Sequence, residues 1–114
     1  DDHKALQQLH NITGIKGFFA RTFYHAGAGE QCDTQGGRWY NSTVMPGWVW
    51  KGDTSSDEVT GHMYALPLYL DLLAVTPEDR ATAIALIDST VAYLVDNGFQ
   101  LIDPSGHPTT WGRF

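Results

Sequence analysis

Within ten residues the chain places Asp53, Asp57, Glu58 and His62, three carboxyl groups and an imidazole. Hydrolysis of a glycosidic bond needs a proton donor on one side of the sugar and a second carboxylate on the other, so acids gathered at a cleft suit that chemistry. Glu58 and His62 are four apart and share a helix face, along which Tyr69 follows two turns later. Asp57 and Glu58 are adjacent and point about 100° apart on a helix, so a second acid for one bond must come from elsewhere. The same residues have a structural reading. Asp53, Ser55, Ser56 and Asp57 are common where a helix begins, and Ser55 with Glu58 has the spacing of a capping box. A third reading is a metal site. Asp53-x-Ser55-x-Asp57 imitates the opening of a calcium loop, but Glu58 stands where the turn glycine belongs and Tyr64 where the closing glutamate belongs. That excludes an EF-hand and leaves an irregular calcium site. Zinc lacks a second His or Cys at helical spacing from His62. Catalysis by Asp57, Glu58 and His62, capping, and irregular calcium binding stand as alternatives; no cofactor is expected.

Beside the acids lie aromatic rings. Trp48 and Trp50 are two apart and point the same way on an extended segment. Flat ring faces stack on sugars, whose C–H groups meet the π cloud while their hydroxyls stay hydrogen-bonded at the edges. Trp111, with Trp39 and Tyr40, extends such a platform, and Asp53 and Tyr69 supply polar contacts to a saccharide. Tryptophans serving as ordinary core are the alternative. Other chemistries lack their motifs. Gly27-x-Gly29 has no third glycine, no GxSxG occurs, and Cys32 shows no local sign of activation.

The elements that must position these groups are read from periodicity and punctuation. Leu6, Leu9 and Ile12 predict a helix from Asp2 to about Asn11, stopped by Thr13-Gly14. Ile15 to Tyr24 is apolar, either strand or buried irregular chain. His25 to Gly37 reads as loop, and Trp39 to Lys51 alternates irregularly around a Pro46-Gly47 turn. From Ser55 the stripe Val59, Met63, Leu66, Leu70 and Leu73 predicts a helix to about Ala74, kinked or left with a free carbonyl at Pro67. Tyr64, Leu68 and Leu72 make its other side apolar too, which predicts an inner helix covered on several faces. Thr76, Pro77, Glu78 and Asp79 open the next helix. Its single stripe, Ile84, Ile87, Val91, Leu94 and Val95, predicts an outer helix ending at Asn97-Gly98. A short β-hairpin from Phe99 to Trp111, turning at Pro104-Ser105-Gly106, closes the sequence.

Composition narrows the partners. The 114 residues suit one small domain, and 42% hydrophobic content predicts a packed core. Thirteen Asp and Glu against seven scattered Lys and Arg give a net charge of −6, which argues against a nucleic-acid backbone or an anionic membrane surface. No stretch approaches the roughly 18–20 apolar residues of a membrane span. Two sequons, Asn11-Ile12-Thr13 and Asn41-Ser42-Thr43, predict N-glycosylation of a secreted or cell-surface chain. The odd Cys32 implies a pairing partner outside this segment. The opening Asp1-Asp2 reads as a processed or excised start, and an inner helix needs more neighbours than the chain supplies, so the segment is expected to be part of a longer protein.

The string Trp50-Lys51-Gly52-Asp53-Thr54-Ser55-Ser56-Asp57-Glu58, followed by Thr60-Gly61-His62, resembles the six-hairpin (α/α) toroid proteins related to glycoside hydrolases and polysaccharide lyases. The closing Asp103-Pro104-Ser105-Gly106-His107-Pro108-Thr109-Thr110-Trp111-Gly112 resembles the hairpin after a later helix in that group, and Thr13-Gly14-Ile15-Lys16-Gly17 with Ala20-Arg21 the segment before its loop. The resemblance implies a mainly α chain, part of a toroid-like array of helical hairpins with a β-hairpin after the last helix. It implies a saccharide cleft at one end. The expected organisation is one partial domain over residues 1–114: an N-terminal helix with aromatic and glycine-rich loops (1–54), an inner and outer helical hairpin (55–98), and a β-hairpin (99–114). The expected function is an extracellular carbohydrate-active or carbohydrate-binding protein acting on oligo- or polysaccharide. The alternative is a non-catalytic, glycosylated module of an extracellular assembly, covered by other copies or by the rest of a longer chain.

Overall fold

The computed structural model describes residues 2–27 and 38–114, with side chains from residue 4 onward. Cys32, and the predicted loop from residue 28 to Gly37, lie outside the described residues. The order of elements is α1 (Asp2–Asn11), β1 (Thr22–His25), β2 (Trp39–Asn41), β3 (Trp48–Lys51), α2 (Ser56–Leu72), α3 (Pro77–Asp96), β4 (Gln100–Ile102) and β5 (Pro108–Arg113).

The toroid expectation fails here. Among the described residues there are three helices and five strands in two antiparallel sheets, a small mixed α/β domain in place of an array of helical hairpins. The reason lies in residues 15–51. Their aromatic segments pair with one another instead of serving as loops around a helical ring. β3 is the centre of a three-stranded sheet ordered β1-β3-β2, in which Trp50 lies opposite both Phe23 and Tyr40. Aromatic cross-strand pairs are the contacts that stabilise so short a sheet. β4 and β5 form the second sheet, with an irregular register between Gln100 and Ile102.

Ile12, Phe18, Phe19, Ala20, Trp50, Val59 and Leu101 form the core, where the end of α1, the segment before β1, the central strand, the base of α2 and β4 converge. Phe18 to Ala20 is buried chain without regular structure. Its backbone is tied down: Thr54 Oγ1 donates to the Phe19 carbonyl at 2.7 Å and Thr13 Oγ1 to that of Phe18 at 3.0 Å.

The helical hairpin begins and ends where its caps dictate. Thr76 Oγ1 accepts the Asp79 N–H, Pro77 occupies the first turn of α3, and Gly98 takes φ +66° after Asn97. Arg80 donates to the carbonyls of Leu70 and Ala74, placing a cation at the negative end of α2. α2 runs through Pro67 as one helix and buries Val59, His62 and Leu66. Its opposite side is open: Tyr64 and Leu72 are each 72% exposed and Leu68 is exposed as well, so the expected cover on several faces is missing. α3 departs from expectation too. The residues it buries are Ala83 and Thr90, while Ile84, Val91 and Val95 of the predicted stripe are about half exposed. Small side chains meet the core because the chain comes very close there: a Cβ on Gly17, at φ +86°, would lie 2.2 Å from the Ser89 carbonyl oxygen.

Candidate functional site

Three polar centres hold Asp53, Glu58 and His62. The first centre joins the end of β3 to the second sheet. Asp103, fully buried, accepts hydrogen bonds from Arg38 at 2.8 Å and from the Asp53 N–H at 3.0 Å. Asp53 takes φ +53°, a left-handed conformation that a short polar side chain tolerates. Its carboxylate accepts the Thr110 N–H at 2.7 Å and the Thr110 hydroxyl at 3.1 Å. Arg38 stands 3.5 Å from the same carboxylate, and the hydrogen bond to Asp103 raises its pKa further. Gly52 leaves room for this clasp, since a Cβ there would meet Asp103 Oδ1 at 2.6 Å.

The second centre is the start of α2. The Glu58 carboxylate accepts the Ser55 N–H at 2.7 Å, touches the Ser55 hydroxyl and pairs with Arg21 at 2.9 Å. Burial pushes its pKa up, but the Ser55 hydrogen bonds and the Arg21 charge outweigh this and hold it below the usual carboxylate range. Asp57, one residue earlier, is exposed. Both Glu58 and Asp53 therefore accept backbone N–H groups. Tyr69 sits at the far end of α2. Desolvation and a hydrogen bond with Asp79 push its pKa up, and it does not join Glu58.

The third centre is a pair of buried histidines. His62 Nδ1 lies 3.3 Å from His10 Nε2, and the His62 ring stacks on Phe19 at 3.8 Å between centroids. Burial lowers both to about 4; in His10 the His62 charge adds to this, and in His62 Glu58 partly opposes it. His10 Nδ1 has no partner. Both imidazoles are buried, and each packs against Phe19. Among the described residues no three His, Cys, Asp or Glu side chains gather as a metal site would require.

The aromatic platform is dispersed. Trp50 is 1% exposed, wedged between Tyr40 at 4.9 Å and Phe18 at 6.0 Å, with its indole N–H unpartnered. Trp48 is half-buried against Phe23 and His25. Trp111, on β5, is 70% exposed. Asn11 and Asn41 are both at the surface.

One of the open surfaces is apolar. A groove of about 500 Å³ runs between Val59, Thr60, Met63 and Tyr64 of α2, Leu94 of α3 and Phe114. Leu68 and Leu72 continue the Tyr64 face along α2. The charge is concentrated on the same hairpin. From residue 56 to 96, Asp57, Glu58, Asp71, Glu78, Asp79, Asp88 and Asp96 stand against Arg80 alone, a net −6 equal to that of the whole chain.

No known protein family, curated protein or solved structure matches this chain.

Sequence reasoning did not find Arg21, Arg38, Asp103 or His10. One signal was present: His10 follows Leu6 by four and His62 lies between Val59 and Leu66, each on an apolar helix face, the position of a core histidine. The arginines carry no local signal, because their partners are 37 and 65 residues away in sequence.

Proposed function

We propose that the chain is a non-catalytic module of an extracellular assembly, secreted or displayed at a cell surface, N-glycosylated on Asn11 and Asn41, and docked through its helical hairpin. The single observation that carries this reading is the apolar face of α2, with Tyr64 and Leu72 each 72% exposed beside a groove closed by Phe114. Large apolar side chains gathered on one exposed face mark an interaction surface. The carboxylates support the non-catalytic half, since Glu58 and Asp53 serve the backbone. Surface positions for both sequon asparagines support the glycosylated half. The test is the mass of the native particle purified from its source. A particle heavier than one glycosylated chain, containing a second polypeptide or further covalently attached sequence packed on the hairpin, is expected. A lone chain would end the proposal.

Saccharide binding without catalysis is the second reading. It is favoured by a cleft of about 420 Å³ lined by Thr13, Tyr40, Asn41, Thr43 and Pro104, with Trp50 behind it. Hydroxyls and an amide beside aromatic rings are the lining that sugars meet. Titration with neutral and acidic oligosaccharides, followed by amide chemical shifts, should perturb Tyr40 and Thr43 first. Unperturbed spectra at millimolar sugar would remove this reading.

A further inference from the structure

An exposed apolar face does not by itself name its occupant, but the acids on the same face do: Asp57 and Asp71 lie seven residues either side of Tyr64 on α2. The hairpin's net −6 equals that of the whole molecule, so the surplus negative charge is confined to the element that carries the open groove. Glu58 is neutralised by Arg21, and Arg80 is spent on the carbonyls of Leu70 and Ala74. Asp57, Asp71, Asp88 and Asp96 are all exposed.

We infer that the hairpin docks a cationic amphipathic helix of a partner protein, whose apolar side chains fill the groove between Met63, Tyr64, Leu94 and Phe114 while its Lys and Arg flanks meet Asp57 and Asp71. This deepens the assembly reading above and rests on it. A helix in a groove is anchored by side chains three, four and seven apart, a spacing that the Tyr64, Leu68 and Leu72 face can receive. A second copy of this chain is the worse occupant, because it would bring a hairpin of net −6 against another of net −6 with little water between them. An anionic membrane surface is repelled for the same reason.

The end of the groove carries its own mark. Phe99 takes φ +61°, a left-handed conformation that costs an aromatic residue free energy, and it does so while half exposed. Its carbonyl accepts the Phe114 N–H at 2.8 Å, so the strained residue holds in place the aromatic that walls the groove.

The probe is an 18-residue Leu/Lys amphipathic helical peptide, with a Leu/Glu peptide of the same pattern as counterpart, titrated into the intact chain by fluorescence anisotropy. Binding of the Leu/Lys peptide is expected to be about tenfold tighter at 50 mM than at 300 mM salt. It should weaken at least about tenfold in Leu68→Lys with Tyr64→Lys, and severalfold in Asp57→Asn with Asp71→Asn, with circular dichroism unchanged. No binding of the Leu/Glu peptide is expected. Equal binding of both peptides, or Leu/Lys binding indifferent to the Leu68 and Tyr64 substitutions, overturns the inference. So does light scattering that finds a dimer of the chain dispersed by Leu68→Lys, although that result leaves the assembly reading standing. A native particle of one chain sinks both.

Discussion

The Asp103 carboxylate is fully buried, and the groups that hold it lie 50 and 65 residues earlier in sequence. Removing it deprives the Asp53 N–H of its acceptor and leaves Arg38 only the Pro108 carbonyl and the Asp53 carboxylate. Asp103→Ala should therefore cost about 3 kcal/mol, read as a fall in the urea midpoint at unchanged slope. His10 and His62 make stability depend on pH. Both are lowered to about 4 in the folded protein from an ordinary value near 6.5, so the unfolded chain binds more protons between those limits. Their neutral packing contributes in full above pH 6.5 and is lost as pH falls towards 4, at up to about 1.4 kcal/mol per pH unit for each histidine. Melting temperature measured from pH 7 to pH 4 should fall steeply, and His62→Gln should flatten the slope. A curve of the same shape in that variant would put the acid sensitivity elsewhere.

At the scale of elements, two leucines two residues apart on α2 should behave in opposite ways. Leu66 is in the core, and Leu66→Ala should cost about 3 kcal/mol; Leu68 faces outward, and Leu68→Ala should change stability by less than about 0.5 kcal/mol. Thermal melts of both variants decide it, and equal losses would mean that the open face is packed after all. Gly17→Ala should be as harmful as the core change, about 3 kcal/mol or more, since a Cβ there meets the Ser89 backbone and the positive φ is unfavourable. The helices were legible because their ends are written locally, in Ser55 with Glu58, Thr76 with Pro77, and Asn97 with Gly98. The β4–β5 hairpin was legible too, from its Pro104-Ser105-Gly106 turn, but the three-stranded sheet was not. β1, β2 and β3 are three or four residues long, too short for alternation to register, and their partners are distant in sequence. The strings that resembled a toroid encode turns and helix caps, which fix local geometry and leave topology open. Glu58 and Asp53 stood out for their chemistry, but the atoms they serve, on Arg21, Ser55 and Thr110, become visible only when the chain is folded. The outward turn of the Ile84, Val91 and Val95 stripe had no signal at all, because periodicity names a face without saying what it meets.

For the molecule as a whole, the charge outside the hairpin is balanced and the charge on it is not. Its association should accordingly slow as salt is added, by at least about tenfold between 50 and 300 mM for an oppositely charged partner, which stopped-flow mixing would measure. Produced through a secretory pathway, the 114-residue segment should exceed its bare 12.6 kDa by one or two N-glycans, and Asn11→Gln and Asn41→Gln should each remove one step of that excess in the intact mass. A mass equal to the bare segment would remove the N-glycosylation reading.

The fastening of Asp53 to Asp103 gives the fold a further property. Fifty residues of chain depart from one spot and return to it, their two ends a hydrogen bond apart. Closure of so long an excursion costs little more when residues are inserted, because the entropic term grows only with the logarithm of length. The bend between Leu73 and Thr76, far from that fastening along the chain, is thus where evolution or an engineer can extend the two helices by whole turns. Reach would change, and the sheets and the aromatic interior would keep their places.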